Sequence, residues 1–309
     1  MENINPSVLL PIVRRAVADC LSAQCRGSGA PGTAAELFFS AGTLALKEEI
    51  VRTGKKLWER QYVDGNGGNI SVRVSDRYVI CTPTMCSKGD LRPEHLSLVD
   101  LESSQVLGSR PRTSEILLHL EIYKSVPRAK AVIHCHPPYA TAHAIAGVVP
   151  QGNLLPEQEV FIGPVALTPY ETPGTIEFAK TVLPVVSRHN TILLRNHGIV
   201  CWAGTVTHAE WLVEVIETYC KTVMIAKQLA SPLKEIPPAK IDALLAIKKR
   251  LGLPDARYND ETDGGGGSPL AAFAEEIATQ VSPQMELPEL EVLVTSITEQ
   301  IATYLQKNK

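Results

Sequence analysis

Ala131-Val132-Ile133-His134-Cys135-His136-Pro137-Pro138 is the stretch on which the fold turns. A short apolar run with β-branched residues reads as a strand, and the proline pair ends it. Residues two apart on a strand share a face, so His134 and His136 point one way and Cys135 the other. Two imidazoles so placed at a strand end make a ligand pair for a borderline metal such as zinc. A polar strand end with two unrelated histidines accounts for the pair as well.

Outward from this strand, residues 191–194 are a second β-rich run, leading into Arg195-Asn196-His197-Gly198. Residues 70–74 and 78–81 read as short strands separated by the turn Ser75-Asp76-Arg77. Residues 36–61 read as one helix and 114–125 as another, with Pro127 just past its end. Thr207-x-x-Glu210 fits a capping box opening a long helix to about Ala230. Helices and strands in mixed order favour an α/β fold, a sheet with helices on its faces.

Chain breakers bound this region. Gly27-Ser28-Gly29-Ala30-Pro31-Gly32 follows an amphipathic stretch containing Leu9, Val13, Ala16, Val17 and Cys20 at helical spacing. Gly264-Gly265-Gly266-Gly267-Ser268-Pro269 reads as a flexible linker. Beyond it, Leu290, Leu293, Val294, Ile297, Ile301 and Leu305 fall on one helical face. The expected organisation is therefore an amphipathic segment and linker at 1–32, a catalytic domain at 33–263, and a linker with an amphipathic helix at 264–309.

The chain has 309 residues and a net charge of -3, which excludes a global basic field for nucleic acid or an anionic membrane. Seven scattered cysteines without a C-x-x-C pair argue against a disulfide framework or a zinc ribbon. No 18-residue apolar run and no secretory signal are found, so a cytoplasmic protein is expected.

His197, at a strand exit before a glycine, is well placed to face a pocket, although a solvated or hydrogen-bonded histidine is the commoner explanation. Glu115 lies just inside a helix that Thr113 or Ser114 would cap, and the helix dipole is by itself a sufficient reason for a carboxylate there. Three histidines and that carboxylate would complete a tetrahedral site. Gly65-Asn66-Gly67-Gly68-Asn69-Ile70-Ser71 lets backbone approach a ligand closely, with Asn69 offering an amide. Thr82-Pro83-Thr84 and the helix start at Thr113-Ser114 offer donors to an anion. Lys88 or Arg112 would add charge, with the surface the plainer place for both.

Taken in order, Gly68-Asn-Ile-Ser71, Thr82-Pro-Thr84, Thr113-Ser-Glu115, His134-x-His136, Pro169-Tyr170 with Gly174-Thr175, and Asn196-His-Gly198 resemble the class II aldolase/adducin family, in particular the L-fuculose-1-phosphate aldolases. The resemblance implies a three-layer α/β/α sandwich around a central, largely antiparallel sheet. It implies zinc, or another divalent metal, held by His134, His136, His197 and an exchangeable Glu115, with a phosphate site at Asn69, Thr84, Thr113 and Ser114. It also implies a homotetramer with the site at a subunit interface. The expected reaction cleaves a fuculose- or rhamnulose-type ketose 1-phosphate to dihydroxyacetone phosphate and a short aldehyde such as lactaldehyde. Within the same family, a pentulose-5-phosphate 4-epimerase, a dehydratase or a non-catalytic adducin-like binding module are the alternatives.

Two departures stand out. Family aldolases often carry glycine where this chain has Met85, which implies a different local turn. Where they draw a catalytic tyrosine from a neighbouring subunit, this chain has Leu154-Leu-Pro-Glu-Gln-Glu159, so Glu157 or Glu159 is a candidate second acid/base. The tails resemble encapsulation peptides of bacterial microcompartments, implying a shell-protein partner for the C-terminal helix and a location inside such a compartment.

Overall fold

The computed structural model describes residues 33–258 and the single position Thr295, and the compact unit runs from Thr33 to Asp260. Thr295 apart, both amphipathic tails and the tetraglycine segment lie outside the described residues.

Eight strands form one sheet in the order β4-β3-β2-β1-β5-β8-β7-β6. They are β1 (Asn69–Arg73), β2 (Tyr78–Cys81), β3 (Ser97–Asp100), β4 (Gln105–Leu107), β5 (Ala131–Cys135), β6 (Ala166–Thr168), β7 (Thr191–Leu194) and β8 (Gly198–Ala203). Every pairing is antiparallel except β6 with β7. The helices are α1 (Ala34–Phe38), α2 (Ala41–Glu59), α3 (Ile116–Ser125), α4 (Pro138–Ala146), α5 (Pro156–Phe161), α6 (Ile176–Lys180), α7 (Val206–Leu229) and α8 (Pro238–Arg250).

Alternation along the central strands builds two cores. Ile133, Cys135, Ile199 and Cys201 face one layer, with Ile50, Leu57, Val213 and Ile216 of α2 and α7. Val132, Val200 and Trp202 face the other, with Ile116, Leu120 and Phe178 of α3 and α6. A sheet buried on both faces by helices is the expected α/β/α sandwich with a largely antiparallel sheet.

Some boundaries differ from the sequence reading for local reasons. Residues 36–61 do not form one helix. Ser40 caps a new one, its side chain accepting from the N–H of Thr43. Thr205, not Thr207, caps α7, because the N–H and hydroxyl of Thr207 are both spent on Glu49. Helix α3 starts at Ile116, and Glu115 is its N-cap residue rather than its first turn. The Glu115 side chain makes no capping bond because it points elsewhere.

Candidate metal centre

Where it points is the end of β5. His134 is the last buried residue but one of that strand, and His136 follows just past its end. His197 stands in the three-residue turn joining β7 to β8, where Leu194 pairs Gly198. Asn196 takes φ 53°, a left-handed conformation that asparagine tolerates, and so turns the chain back within three residues. Gly198 is required by contact. A Cβ there would lie 2.5 Å from the Cys135 carbonyl oxygen and 2.6 Å from Cδ2 of His136.

The three imidazoles converge. Ring centroids lie 4.6 to 5.2 Å apart, and one ligand nitrogen from each falls within 4.8 Å of the others. Glu115 reaches between them, with Oε2 3.3 Å from Nε2 of His134 and Oε1 3.4 Å from Nε2 of His197. Neither contact is an ion pair, because burial keeps the imidazoles neutral. It pushes His134 well below the ordinary histidine range, lowers His136, and with His136 nearby lowers His197 to about 4. Burial also raises the Glu115 carboxyl, opposed by the Asn69 amide and by the charge of Lys88.

A divalent cation fits these groups. Nδ1 of His134 lies 2.8 Å from the carbonyl oxygen of Ile199, which can only accept, so Nδ1 carries the proton. The bare Nε2 then aims its lone pair at Nε2 of His136, 3.0 Å away, and at the Glu115 carboxylate. Lone pairs and a carboxylate oxygen gathered so closely are relieved by a cation between them. The ~3.4 Å edge of a tetrahedron with ~2.1 Å bonds falls within the spread of the nitrogens.

Of the other residues singled out above, Asn69 and Thr113 bond directly to Glu115, whereas α5, which carries Glu157 and Glu159, ends at Phe161 beside Asn190, at the far end of β7 from His197. Asn69, opposite His134 in the β1–β5 register, donates its amide to Oε2 of Glu115 at 2.7 Å. Thr113 is buried and its hydroxyl accepts from the N–H of Glu115, while Ser114 is exposed at the foot of α3. Thr84 is half-buried, its N–H bonded to Pro111. Met85 takes φ 51°, a left-handed conformation that glycine adopts freely. Glu157 is exposed in the first turn of α5. Glu159 is buried, with Oε2 2.7 Å from Arg257 and Oε1 accepting from the N–H of Asn153.

Two residues carry more weight than the sequence reading gave them. Lys88, expected on the surface, is 1% exposed and donates to the carbonyls of Asn66 and Cys86, tying the glycine-rich loop to the Thr-Pro-Thr loop. His119 is fully buried and bonded to Asn69. Its signal was the four-residue step from Glu115, which places both on one helix face.

A cavity of about 590 Å³ lies at the opposite end of β5 and β8, among Trp202, Trp211, Phe161 and Arg128, and shares no residue with this cluster.

A helix-covered sheet ending in three histidines and a carboxylate defines the class: an α/β protein with a centre able to hold a divalent cation. The chain belongs to the Class II Aldolase and Adducin N-terminal domain family, whose profile matches residues 48–224. It is 34% identical over 182 residues to a 3-oxo-tetronate 4-phosphate decarboxylase of Haemophilus influenzae, an alignment covering 58% of this chain and 86% of the relative. It is also 34% identical over 174 residues to an L-fuculose phosphate aldolase of Methanococcus vannielii, covering 56% and 93%. Among solved structures, YgbL of Escherichia coli, described as a candidate aldolase, epimerase or decarboxylase, superposes with TM-score 0.60 at 29% identity, covering 65% of this chain and 98% of that one. An L-fuculose 1-phosphate aldolase superposes with the same score at 26% identity, covering 68% and 97%. Among the described residues no helix is long and apolar enough to cross a membrane.

Proposed function

We propose that this protein is a divalent-metal-dependent lyase that breaks a carbon–carbon bond beside a carbonyl in a small phosphorylated sugar, a fuculose- or rhamnulose-type ketose 1-phosphate being the substrate the sequence favours. The observation that carries this reading is the convergence of His134, His136 and His197 on Glu115. Bound there, a zinc or similar ion supplies a Lewis acid beside the oxygens on which negative charge gathers as the bond breaks.

The chain's own residues do the rest. Neutral imidazoles hold the ion without cancelling its charge. Glu115 is the group that exchanges a proton: Asn69 steadies Oε2, and Oε1 delivers a proton to the carbon that keeps the bonding electrons. Thr84, Thr113, Ser114 and the second amide N–H of Asn69 hold the phosphate near the positive end of the α3 dipole. The phosphate contacts use atoms that do not react to set the register of those that do. A second acid/base takes the proton of the hydroxyl on the departing half. Of the two candidate glutamates, Glu157 is the one open to solvent, whereas Glu159 is committed to Arg257. A homotetramer, with a neighbour's residue completing the site, belongs to the same proposal. So does packaging in a microcompartment through the C-terminal stripe.

A second reading is decarboxylation of a 3-oxo acid phosphate, favoured by the decarboxylase relatives and by the buried cation of Lys88 close to Glu115. Loss of carbon dioxide also leaves an electron-rich carbon beside a carbonyl, and the same proton delivery finishes the reaction.

One experiment tests both. The full chain is purified, its metal content measured, and fuculose 1-phosphate, rhamnulose 1-phosphate, ribulose 5-phosphate and 3-oxo-tetronate 4-phosphate are offered. About one divalent ion per chain and turnover of a single substrate are expected. His134→Ala should lose the metal, and Glu115→Ala should cut kcat/KM by roughly 10²–10⁴-fold. Full activity in either variant removes the mechanism. A chain that binds no metal and turns over nothing is the adducin-like binding module instead.

A further inference from the structure

Behind Glu115 runs a line of buried polar groups that neither the metal nor the phosphate accounts for. Glu115, His119 and Tyr123 stand four residues apart on one face of α3. Asn69, Ser71 and Arg73 stand two apart on the facing side of β1. A four-residue step along a helix rises ~6 Å and a two-residue step along a strand ~6.6 Å, so the two ladders stay in register. Their rungs are hydrogen bonds. Asn69 Nδ2 donates to Oε2 of Glu115 at 2.7 Å, and Nε2 of His119 meets Oδ1 of Asn69 at 2.5 Å. Ser71 Oγ lies 2.7 Å from Nδ1 of His119 and 2.8 Å from the hydroxyl of Tyr123. The hydroxyl of Tyr123 donates to the carbonyl of Ser71, and the Arg73 guanidinium donates to the carbonyl of Tyr123. Ser71 and His119 are fully buried, and Tyr123 and Asn69 are 1% and 4% exposed.

Donor and acceptor rules leave this line one direction. A carboxylate accepts, so Asn69 must turn its –NH₂ toward Glu115 and its Oδ1 toward His119. Oδ1 only accepts, so Nε2 of His119 must carry the proton. The ring is neutral, burial having pushed it down to about 3, so Nδ1 is bare and accepts from the hydroxyl of Ser71. From Ser71 through His119 and Asn69, each donor then points toward Glu115. Were His119 the other tautomer, Oδ1 of Asn69 would face a lone pair in a dry interior, and the amide would gain by turning its oxygen onto the carboxylate.

We infer that His119 is a positioning residue for Glu115: held by Ser71 as its Nε2–H tautomer, it locks the Asn69 amide with its N–H groups facing the carboxylate. The inference rests on the proposed role of Glu115 as the working carboxylate. Asn69 is thereby more than a phosphate donor. It transmits a fixed orientation from the helix–strand interface to the group that moves the proton.

The test is made on the full-length chain labelled with ¹⁵N-histidine. Unmodified protein should show His119 with a protonated Nε2 and a bare Nδ1, both metal-free and loaded with Co²⁺. Ser71→Ala, which removes the donor to Nδ1, should give a mixture of tautomers. A protonated Nδ1 in the unmodified protein, or an unchanged tautomer in Ser71→Ala, overturns the inference. Co²⁺ titration supplies the second readout. His119→Leu should weaken Co²⁺ binding about 10-fold and change the visible spectrum of the bound ion. His119→Gln, whose amide N–H reaches for Oδ1 of Asn69, should recover most of both. Equal loss in Leu and Gln variants that melt as the parent does overturns it as well. Failure of the unmodified chain to bind Co²⁺ sinks the proposed function instead, and the tautomer then still decides the orientation of Asn69.

Discussion

Lys88 carries a charge where little water reaches it. Burial lowers its ammonium to about 8, against an attraction toward Glu115 that raises it. Two carbonyl acceptors, Asn66 and Cys86, hold the group in place but do not neutralise it. Between pH ~8 and ~10.4 the unfolded chain keeps a proton on this lysine that the folded chain has released. Stability therefore rises with pH across that window, and the penalty is fully present below it. A shift of that size corresponds to about 3 kcal/mol. Denaturant unfolding of metal-free protein and of Lys88→Met at pH 7.5 and pH 10 should show the parent gaining on the variant by up to about 3 kcal/mol. A difference between the two that does not change with pH would mean that Lys88 is solvated. The lysine was placed on the surface from sequence because nothing in Cys86-Ser87-Lys88-Gly89-Asp90 is apolar enough to mark a buried turn. Its segment is packed against α2, where a Cβ added at Gly54 would lie 3.0 Å from the Lys88 carbonyl oxygen and 3.5 Å from the Lys88 Cβ.

At the scale of elements, the candidate metal centre depends on how α4 is attached to the sheet. Helix α4 begins one residue after the Pro137 that follows His136, and its first N–H groups need partners. Glu217, from the middle of α7, supplies them, accepting from Tyr139 at 3.0 Å and Ala140 at 2.8 Å. A carboxylate capping a helix from another element fixes the exit of the chain from His136. Glu217→Ala should cost about 1–2 kcal/mol in unfolding free energy. It should also weaken metal binding, read by competition with a chelator, whereas a variant with unchanged metal affinity would show that the turn holds itself. The sequence disclosed one side of this arrangement and hid the other. The β-rich run ending in His134 and His136, and the turn at Asn196-His197-Gly198, are local signals that gave both strands and the sharing of a face. The one-residue start of α3 was not legible, because Glu115 leaves its helix for contacts with residues 19 and 82 positions away. The break at Ser40 was missed for the opposite reason: the apolar spacing runs through it, and only the capping bond to Thr43 reveals a new helix. Glu217 was invisible because its partners are set by packing of whole elements, not by spacing along one, and the four-residue step from Glu115 to His119 gave a shared face but not the bond to Asn69.

At the scale of the whole folded unit, the C-terminal part of the described chain is pinned to the rest by buried charge. Lys248 on α8 and Asp255 beyond it pair at 2.8 Å with both side chains fully buried, and Lys248 also donates to the carbonyl of Ile162 at 2.6 Å. Arg257 bridges Asp255 and Glu159, so α5, α8 and the last described turn share one network. Burial alone would raise the Asp255 carboxyl, but Arg257 and Lys248 outweigh it and hold the group below the ordinary carboxylate range. Such a carboxylate contributes stability above its unfolded value of ~3.9, and that contribution is lost as the pH falls through the depressed folded value. The network should therefore survive mild acid and fail only in strong acid. Its energetic character shows when it is broken from one side. Asp255→Asn leaves Lys248 buried without a counter-charge and should destabilise the unit by about 3–5 kcal/mol, whereas Lys248→Met combined with Asp255→Leu removes both charges and should recover most of that loss. Thermal melts of the three proteins decide the matter. If Asp255→Asn melts with the parent, the pair is not desolvated. If the double variant is as unstable as the single one, the network holds α8 through hydrogen bonds to Ile162 and Arg257 that an apolar pair cannot replace.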